Sequence, residues 1–376
     1  MLERIHHMMI KEFIQVLRDP RMKQMVLVMP VIQLILFGYA VNTDVKNAAL
    51  AVYDRDNTPE SRTLIARFVE SGYFTLAEKP SSPAEVQDLM DHSRVQAVVE
   101  IPSDFSKKLA AGRTAVVQLV VDGTDSNTAR ILFDYGSRIV SQYSEELITD
   151  RFLKQTGTKI EPQRVTAETR AWFNENLESR NFFIPGVIAI LLTLITLMLT
   201  SMAIVREKEV GTIEQIMVTP ISPFEFILGK TAPFALIALF DAVVVTVVGV
   251  TWFAVPIRGS LLLLFFSALL FLMTALGIGL FISTVSNTQQ QAMMSTFFFY
   301  FPAMLLSGFM FPIANMPKPI QILTIADPLR YFLVILRGIF LKGVGVEILW
   351  RELLALAILG VITLTLAVRR FHKTLA

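Results

Sequence analysis

Cysteine is absent from this chain, so no disulfide framework, thiolate metal site or thiol nucleophile can form. That absence leaves the redox compartment open. Charge is scarce as well: only 18% of the 376 residues are Asp, Glu, Lys or Arg, and a net charge of +2 is too small to point to nucleic acid. A nucleotide-binding loop is also missing. Gly229-Lys230-Thr231 ends like one, but the first glycine of G-x-x-x-x-G-K-[ST] should stand where this chain has Phe224, and an apolar run rather than a soluble βαβ unit follows. Lys230 then reads as a basic anchor at the start of that run.

Apolar side chains are what the chain has in abundance, 53% of the total, too many for an ordinary soluble enzyme. They gather in six windows close to the roughly 17–25 residues that cross about 30 Å of hydrocarbon: 25–41, 182–205, 231–255, 261–282, 292–311 and 349–368. Lys11, Arg18, Arg21 and Lys23 precede the first window, and Arg369, Arg370 and Lys373 follow the last. The positive-inside bias therefore places both termini in the cytoplasm, which agrees with an even number of spans. The expected fold is an α-helical membrane protein: six transmembrane helices, with a large extracytoplasmic α/β domain at 42–181 inserted between the first two.

Within residues 1–24, Ile5, Met9, Phe13, Val16 and Leu17 recur near helical spacing, with Arg4, Lys11 and Arg18 between them. This predicts an amphipathic helix lying on the cytoplasmic membrane surface, broken at Asp19-Pro20 before the first span. A secretory signal cleaved near Gly38-Tyr39-Ala40 competes, but its charged leader would be much longer than usual.

The 42–181 segment has soluble composition. Residues 48–53, 95–101 and 116–121 are rich in β-branched side chains and read as buried strands. Thr58-Pro59-Glu60, Ser82-Pro83-Ala84-Glu85 and Ser103-Asp104-Phe105 open helices between and after them. Alternation of this kind implies a partly parallel sheet, followed by a longer helix from Ser126 to about Gln155. No catalytic residues are identified. His92 reads as a surface histidine, and Asp54 and Asp56 as a solvated turn after a strand, with a metal or acid/base pair as the alternative.

Residues 182–376 hold spans two to six. Gly277 and Gly279, with Ala275, allow close helix approach in the fourth span, while Pro302 and Ser307-Gly308 interrupt the fifth. Between 313 and 348 the apolar pieces are too short to cross and too apolar for a free loop, which predicts half-helices at the outer face. Asp241 falls near the middle of the third span, where a carboxylate is costly unless protonated, paired or wet. Either it is a cation or proton site or a polar wall of a substrate path, or it hydrogen-bonds a neighbouring helix through Thr193, Thr196 or Gln33. No metal site is identified.

The most informative stretch follows the second span: Arg206-Glu207-Lys208-Glu209-Val210-Gly211-Thr212-Ile213-Glu214-Gln215, ending at Thr219-Pro220. So many charges cannot lie in lipid, so they face water and are free to meet a soluble partner. Val210, Ile213, Ile216 and Met217 fall on one face, predicting a short amphipathic helix with Gly211 and Thr212 inside it. Ser222-Pro223-Phe224-Glu225 has capping-box spacing and starts the next helix, so 206–229 reads as a rigid elbow.

Taken with Gly229-Lys230, Gln289-Gln290-Gln291-Ala292, Leu306-Ser307-Gly308-Phe309, Pro312, Asn315-Met316-Pro317 and the Lys11-Glu12 helix, this pattern resembles the ABC-2 type permeases across essentially the whole chain. It is most similar to their bacterial drug-efflux branch, membrane subunits of ATP-driven exporters in the inner membrane. The resemblance implies a second permease, as a homodimer or a related heterodimer, and two separate ATPase subunits that carry ATP and magnesium. This chain itself would hold no cofactor. It also implies that Arg206, Glu207, Glu209, Gly211, Thr212, Glu214, Gln215 and Pro220 couple the spans to the ATPase, and that the outer domain gates the exit or contacts a periplasmic adaptor. Two other classes stay open: a sensor or scaffold whose outer domain binds a ligand, and an ion-coupled transporter using Asp241.

Overall fold

The computed structural model describes residues 2–41, 45, 47–157, 172–175, 178–212 and 223–374. These fall into two compact units, one of Met1–Asn42 with Arg170–Ala376 and one of Thr43–Thr169.

The first unit opens with α1 (Leu2–Arg18), whose Glu3 and Arg18 lie at the ends where the helix dipole favours them. Asp19 accepts a hydrogen bond from the Met22 backbone N–H at 3.5 Å, at the break before a single helical turn, Pro20–Lys23. A widened turn, Gln24–Val28, then leads into α2 (Met29–Ala40).

In the second unit β1 (Ala48–Asp54), α3 (Pro59–Glu70), β2 (Phe74–Glu78), α4 (Pro83–Asp91), β3 (Ala97–Ile101), α5 (Phe105–Ala110), β4 (Gln118–Val121) and α6 (Ser126–Thr156) follow in order. The sheet runs β2-β1-β3-β4, parallel except where β4 pairs antiparallel with β3. Side chains alternate between its faces as strand geometry requires. Leu50, Val52, Val99 and Ile101 meet Leu64, Phe68, Leu132 and Tyr143 of α3 and α6, while Ala51 and Val98 meet Leu89 of α4. Burial on both faces explains why β1 and β3 read as near-continuous apolar runs. β2 escaped the sequence reading because Phe74-Thr75-Leu76-Ala77-Glu78 is a half-polar edge strand, set by its partner β1 rather than by its own composition. Capping is local: Thr58 and Ser61 exchange hydrogen bonds at the start of α3, and the Ser82 hydroxyl accepts from the Glu85 N–H at 3.2 Å.

The first unit resumes with α7 (Ser179–Val210), α8 (Pro223–Thr251), α9 (Leu261–Val285), α10 (Gln289–Leu306), α11 (Lys318–Leu323), α12 (Pro328–Arg337) and α13 (Val346–Thr374). Among the described residues, four helices are long and apolar enough to cross a membrane: Ser179–Val210, Glu225–Thr251, Leu261–Val285 and Val346–Arg370. The first and fifth predicted spans fall on a shorter apolar helix, Val26–Ala40, and on α10, whose apolar run is diluted by three glutamines at its start.

α7 is the axis of this bundle. Its apolar window is 78% buried against 22% for that of α13, so α7 is mostly enclosed by protein and α13 is mostly exposed. Two threonines inside α7 bond back to their own helix: Thr193 donates to the Ala189 carbonyl at 2.7 Å and Thr200 to that of Thr196 at 2.6 Å, whereas the buried Thr196 hydroxyl has no partner among the described residues. Thr296 of α10 donates to Ser201 at 2.9 Å, tying that helix to the axis. Gly277 and Gly279 bring α9 against Thr363 of α13 and Thr200 of α7.

Candidate functional site

At the end of α7 the charged stretch begins as the last turn of the helix itself, Arg206 to Val210. The helix stops at Gly211, whose φ of +78° is a left-handed cap that an L side chain adopts only at a cost. This corrects the sequence expectation, which put Gly211 inside a separate amphipathic helix; the glycine ends a helix instead. Glu214, Gln215 and Pro220, with Ile213, Ile216, Met217 and Ser222, lie outside the described residues.

Consecutive side chains of this turn each engage a different neighbour. Arg206 donates through Nε and Nη1 to the Gln15 side-chain oxygen of α1, at 3.2 and 3.1 Å, with the Gln15 amide oriented to present that oxygen. Glu207 Oε1 accepts from Lys230 of α8 at 2.6 Å and from Lys11 of α1 at 3.0 Å, and its other oxygen accepts from the Thr212 hydroxyl. Lys208 donates to the carbonyls of Thr284 and Ser286 at 3.1 and 3.2 Å, where the C-terminal end of α9 favours a cation. Glu209 accepts from the Gln289 backbone N–H at 3.0 Å and from its side-chain amide, where the N-terminus of α10 favours an anion. Four residues in succession thus grip α1, α8, α9 and α10, because a helix turns by 100° per residue and this end of α7 is surrounded.

Lys230 is the centre of the knot. Its Nζ lies 2.6 Å from Oε1 of both Glu12 and Glu207, and the residues are 2%, 4% and 5% exposed respectively. The Glu12 contact lacks hydrogen-bond alignment, so Coulomb attraction carries it. Two carboxylates on one ammonium, with Lys11 supplying a second cation, keep the buried charges compensated, as burial of ions demands. Lys230 is therefore no surface anchor. One residue earlier, a Cβ added at Gly229 would come within 3.0 Å of Met8, so glycine is what lets α1 seat closely on α8. The residues that end like a phosphate-binding loop are instead a helix contact followed by an ion-pair centre. A further pair, Arg4–Glu225 at 4.0 Å, joins the same two helices.

Glu207 thus faces inward, whereas Glu209 and Val210 remain exposed. Sequence reading names Glu207, Lys230 and Glu12 separately but does not join them, because no local periodicity connects the two carboxylates to the lysine they share.

Asp241 of α8 is buried, and its Oδ2 has no hydrogen-bond partner. None of Thr193, Thr196 or Gln33 bonds to it. A separate apolar cavity of about 280 Å³ opens between α7, α8, α9 and α12, lined by residues such as Ile188, Leu192, Val243, Leu264 and Phe332. Its size is near the lower bound of ligand sites, about 300 Å³. Near the start of α7, the Arg337 guanidinium sits 3.7 Å from the Phe182 ring centroid and donates to the Gly308 carbonyl at 3.3 Å.

In the second unit Asp54 and Asp56 are spent on the turn they begin. Asp54 accepts from the N–H groups of Asp56 and Asn57 at 3.0 Å each and from the Ser61 hydroxyl at 2.6 Å. Asp56 accepts from the Thr58 hydroxyl at 2.6 Å and the Ser106 N–H at 3.1 Å. Desolvation works to raise the Asp56 carboxyl, and the hydrogen bonds from Thr58 and Ser106, with Lys107 nearby, hold it below its ordinary value. His92 is exposed beside Asp88 at 3.2 Å.

Long apolar helices packed about one buried axis and knotted by ion pairs at the end of that axis define a polytopic membrane protein with helix ends mechanically tied together. The sequence matches the family described as ABC-2 family transporter protein over residues 24–369, and the chain belongs to that family of transporter permeases. It is 35% identical over 373 residues to Probable multidrug ABC transporter permease YbhR of Escherichia coli (strain K12), covering 99% of each chain. Identity to Probable multidrug ABC transporter permease YbhS of the same organism is 32% over 342 residues, covering 90% of this chain and 89% of the relative. Inner membrane transport permease YhhJ, again from Escherichia coli (strain K12), is 29% identical over 388 residues, covering 100% of this chain and 98% of the relative.

Proposed function

We propose that this chain is one permease of an ATP-driven exporter for hydrophobic or amphiphilic compounds, working with a second permease and with separate ATPase subunits that carry ATP and magnesium. Six spans cross the inner membrane with both termini in the cytoplasm, and the α/β unit lies on the far side. The observation that carries this reading is the knot at Arg206 to Glu209. Force applied to the segment that follows Gly211 reaches α1, α8, α9 and α10 at once, because each is held by its own polar contact to one rigid turn. A transporter that takes its energy from another chain needs such a rigid receiver. On this reading the ATPase docks on the segment from Gly211 to Pro220, including Glu214 and Gln215, while Glu207 transmits rather than touches it.

The test is reconstitution with candidate ATPase subunits and ATP-dependent dye efflux from proteoliposomes. Association and efflux are expected, with Glu207→Ala retaining the ATPase and losing at least nine-tenths of transport, roughly 1.4 kcal/mol of coupling. Failure of any ATPase to associate, with no ATP-dependent transport, would sink the proposal. The unpartnered Oδ2 of Asp241 favours a second reading, ion-coupled transport. Asp241→Asn then abolishes gradient-driven uptake or efflux while leaving assembly intact, and unchanged transport removes it.

A further inference from the structure

The second unit contains a groove that the transport reading does not use. It lies between α3, α5, α6 and the chain leading into β4, with a volume of about 320 Å³, within the range of about 300–1,000 Å³ typical of ligand sites. Its floor is apolar, formed by Phe105 and Leu109 of α5 and Val140 and Leu147 of α6. Its mouth is cationic. Arg113 and Arg151 both line it, and Arg151 Nη1 lies 3.6 Å from where a Cβ on Gly112, the residue before Arg113, would stand. No carboxylate lines the groove, and neither guanidinium has an ion pair or side-chain hydrogen bond among the described residues. This contrasts with Arg67 and Arg94 of the same unit, paired with Glu146 at 2.5 Å and Glu78 at 2.7 Å. Ile148, which also lines the groove, and Val116 are exposed.

We infer that this groove binds a single-chain anionic amphiphile, its alkyl chain on the Phe105, Leu109, Val140 and Leu147 floor and its carboxylate or sulfate head on Arg113 and Arg151. The charge pattern selects the class. Two unpaired guanidinium groups beside an apolar trough suit an anionic head joined to an apolar tail, and they disfavour a cationic amphiphile. The modest volume suits one chain rather than a two-chain lipid. This inference does not rest on the transport reading, because its test reads binding alone.

The full chain is placed in phosphatidylcholine nanodiscs and irradiated with dodecanoate bearing a terminal diazirine, and adducts are mapped by mass spectrometry. Adducts are expected within 105–117 and 140–151, displaced by dodecanoate or dodecyl sulfate but not by dodecyltrimethylammonium. Arg113→Glu with Arg151→Glu lowers their yield at least tenfold, the lysine pair retains most of it, and Ser144→Trp blocks the groove without touching either arginine. Adducts confined to the membrane helices, equal displacement by the cationic amphiphile, or a yield indifferent to charge reversal would each overturn the assignment. So would disulfide cross-linking of two chains through Ile148→Cys in the absence of any adduct, which would give the groove to a second copy.

Discussion

Replacing Lys230 with methionine removes the cation shared by Glu12 and Glu207 while keeping an unbranched side chain of similar reach. Breaking a buried ion pair from one side costs about 3–5 kcal/mol, because the abandoned charge stays desolvated. Glu207 keeps Lys11 at 3.0 Å and the Thr212 hydroxyl. Glu12 keeps nothing, since its one ion pair among the described residues is to Lys230. The loss therefore falls near the lower end, about 3 kcal/mol, and acts on the seating of α1 against α8. That is roughly a hundredfold shift in the docking equilibrium of α1, at tenfold per 1.4 kcal/mol. Because the chain has no cysteine, Met8→Cys supplies a single thiol at the seat, beside Gly229. Its maleimide labelling rate in reconstituted vesicles should rise on adding Lys230→Met, and Glu12→Gln on top should bring part of it back by discharging the stranded carboxylate. Equal rates with and without Lys230 would refute the claim that this ion pair holds α1 down.

Gly229→Leu should have a similar outcome by a steric route: overpacking against Met8 costs about 1–3 kcal/mol, measured as a lower thermal midpoint and faster labelling of Gln15→Cys. In the second unit, Thr58→Ala removes the α3 cap and should cost about 1 kcal/mol, read from hydrogen exchange of that helix. Asp56 supplies a pH dependence. Its carboxyl sits below its ordinary value in the folded chain, so its stabilisation is complete above the ordinary carboxylate range and disappears as pH falls through the lowered value. Protection of the 104–110 backbone, corrected for intrinsic exchange, should fall on acidification in the native chain and be low and flat in Asp56→Asn.

Much of the fold was legible because its signals are local. Apolar windows longer than a turn or two, Thr58-Pro59, Ser82-Pro83 and the β-branched runs of β1 and β3 each report their own structure without reference to distant partners. β2 was not legible, since its strand character comes from pairing with β1. At the knot the sequence showed which residues had to leave lipid, Arg206 to Glu209, and left their direction open. From sequence, Gly229-Lys230 fails as a phosphate loop and reads as an anchor, because the glycine's purpose is the approach of Met8 from another helix.

By itself, the sequence determined that this is a membrane protein with a long segment of ordinary polar composition, because transfer of apolar side chains from water is additive along the chain and needs no knowledge of neighbours. Only the tertiary structure decided that Glu207 faces inward to Lys230, that Glu12 shares that lysine, and that Arg206, Lys208 and Glu209 grip α1, α9 and α10. Those assignments depend on Coulomb and hydrogen-bond contacts a few ångströms long, and such distances between remote segments exist only once the helices have packed.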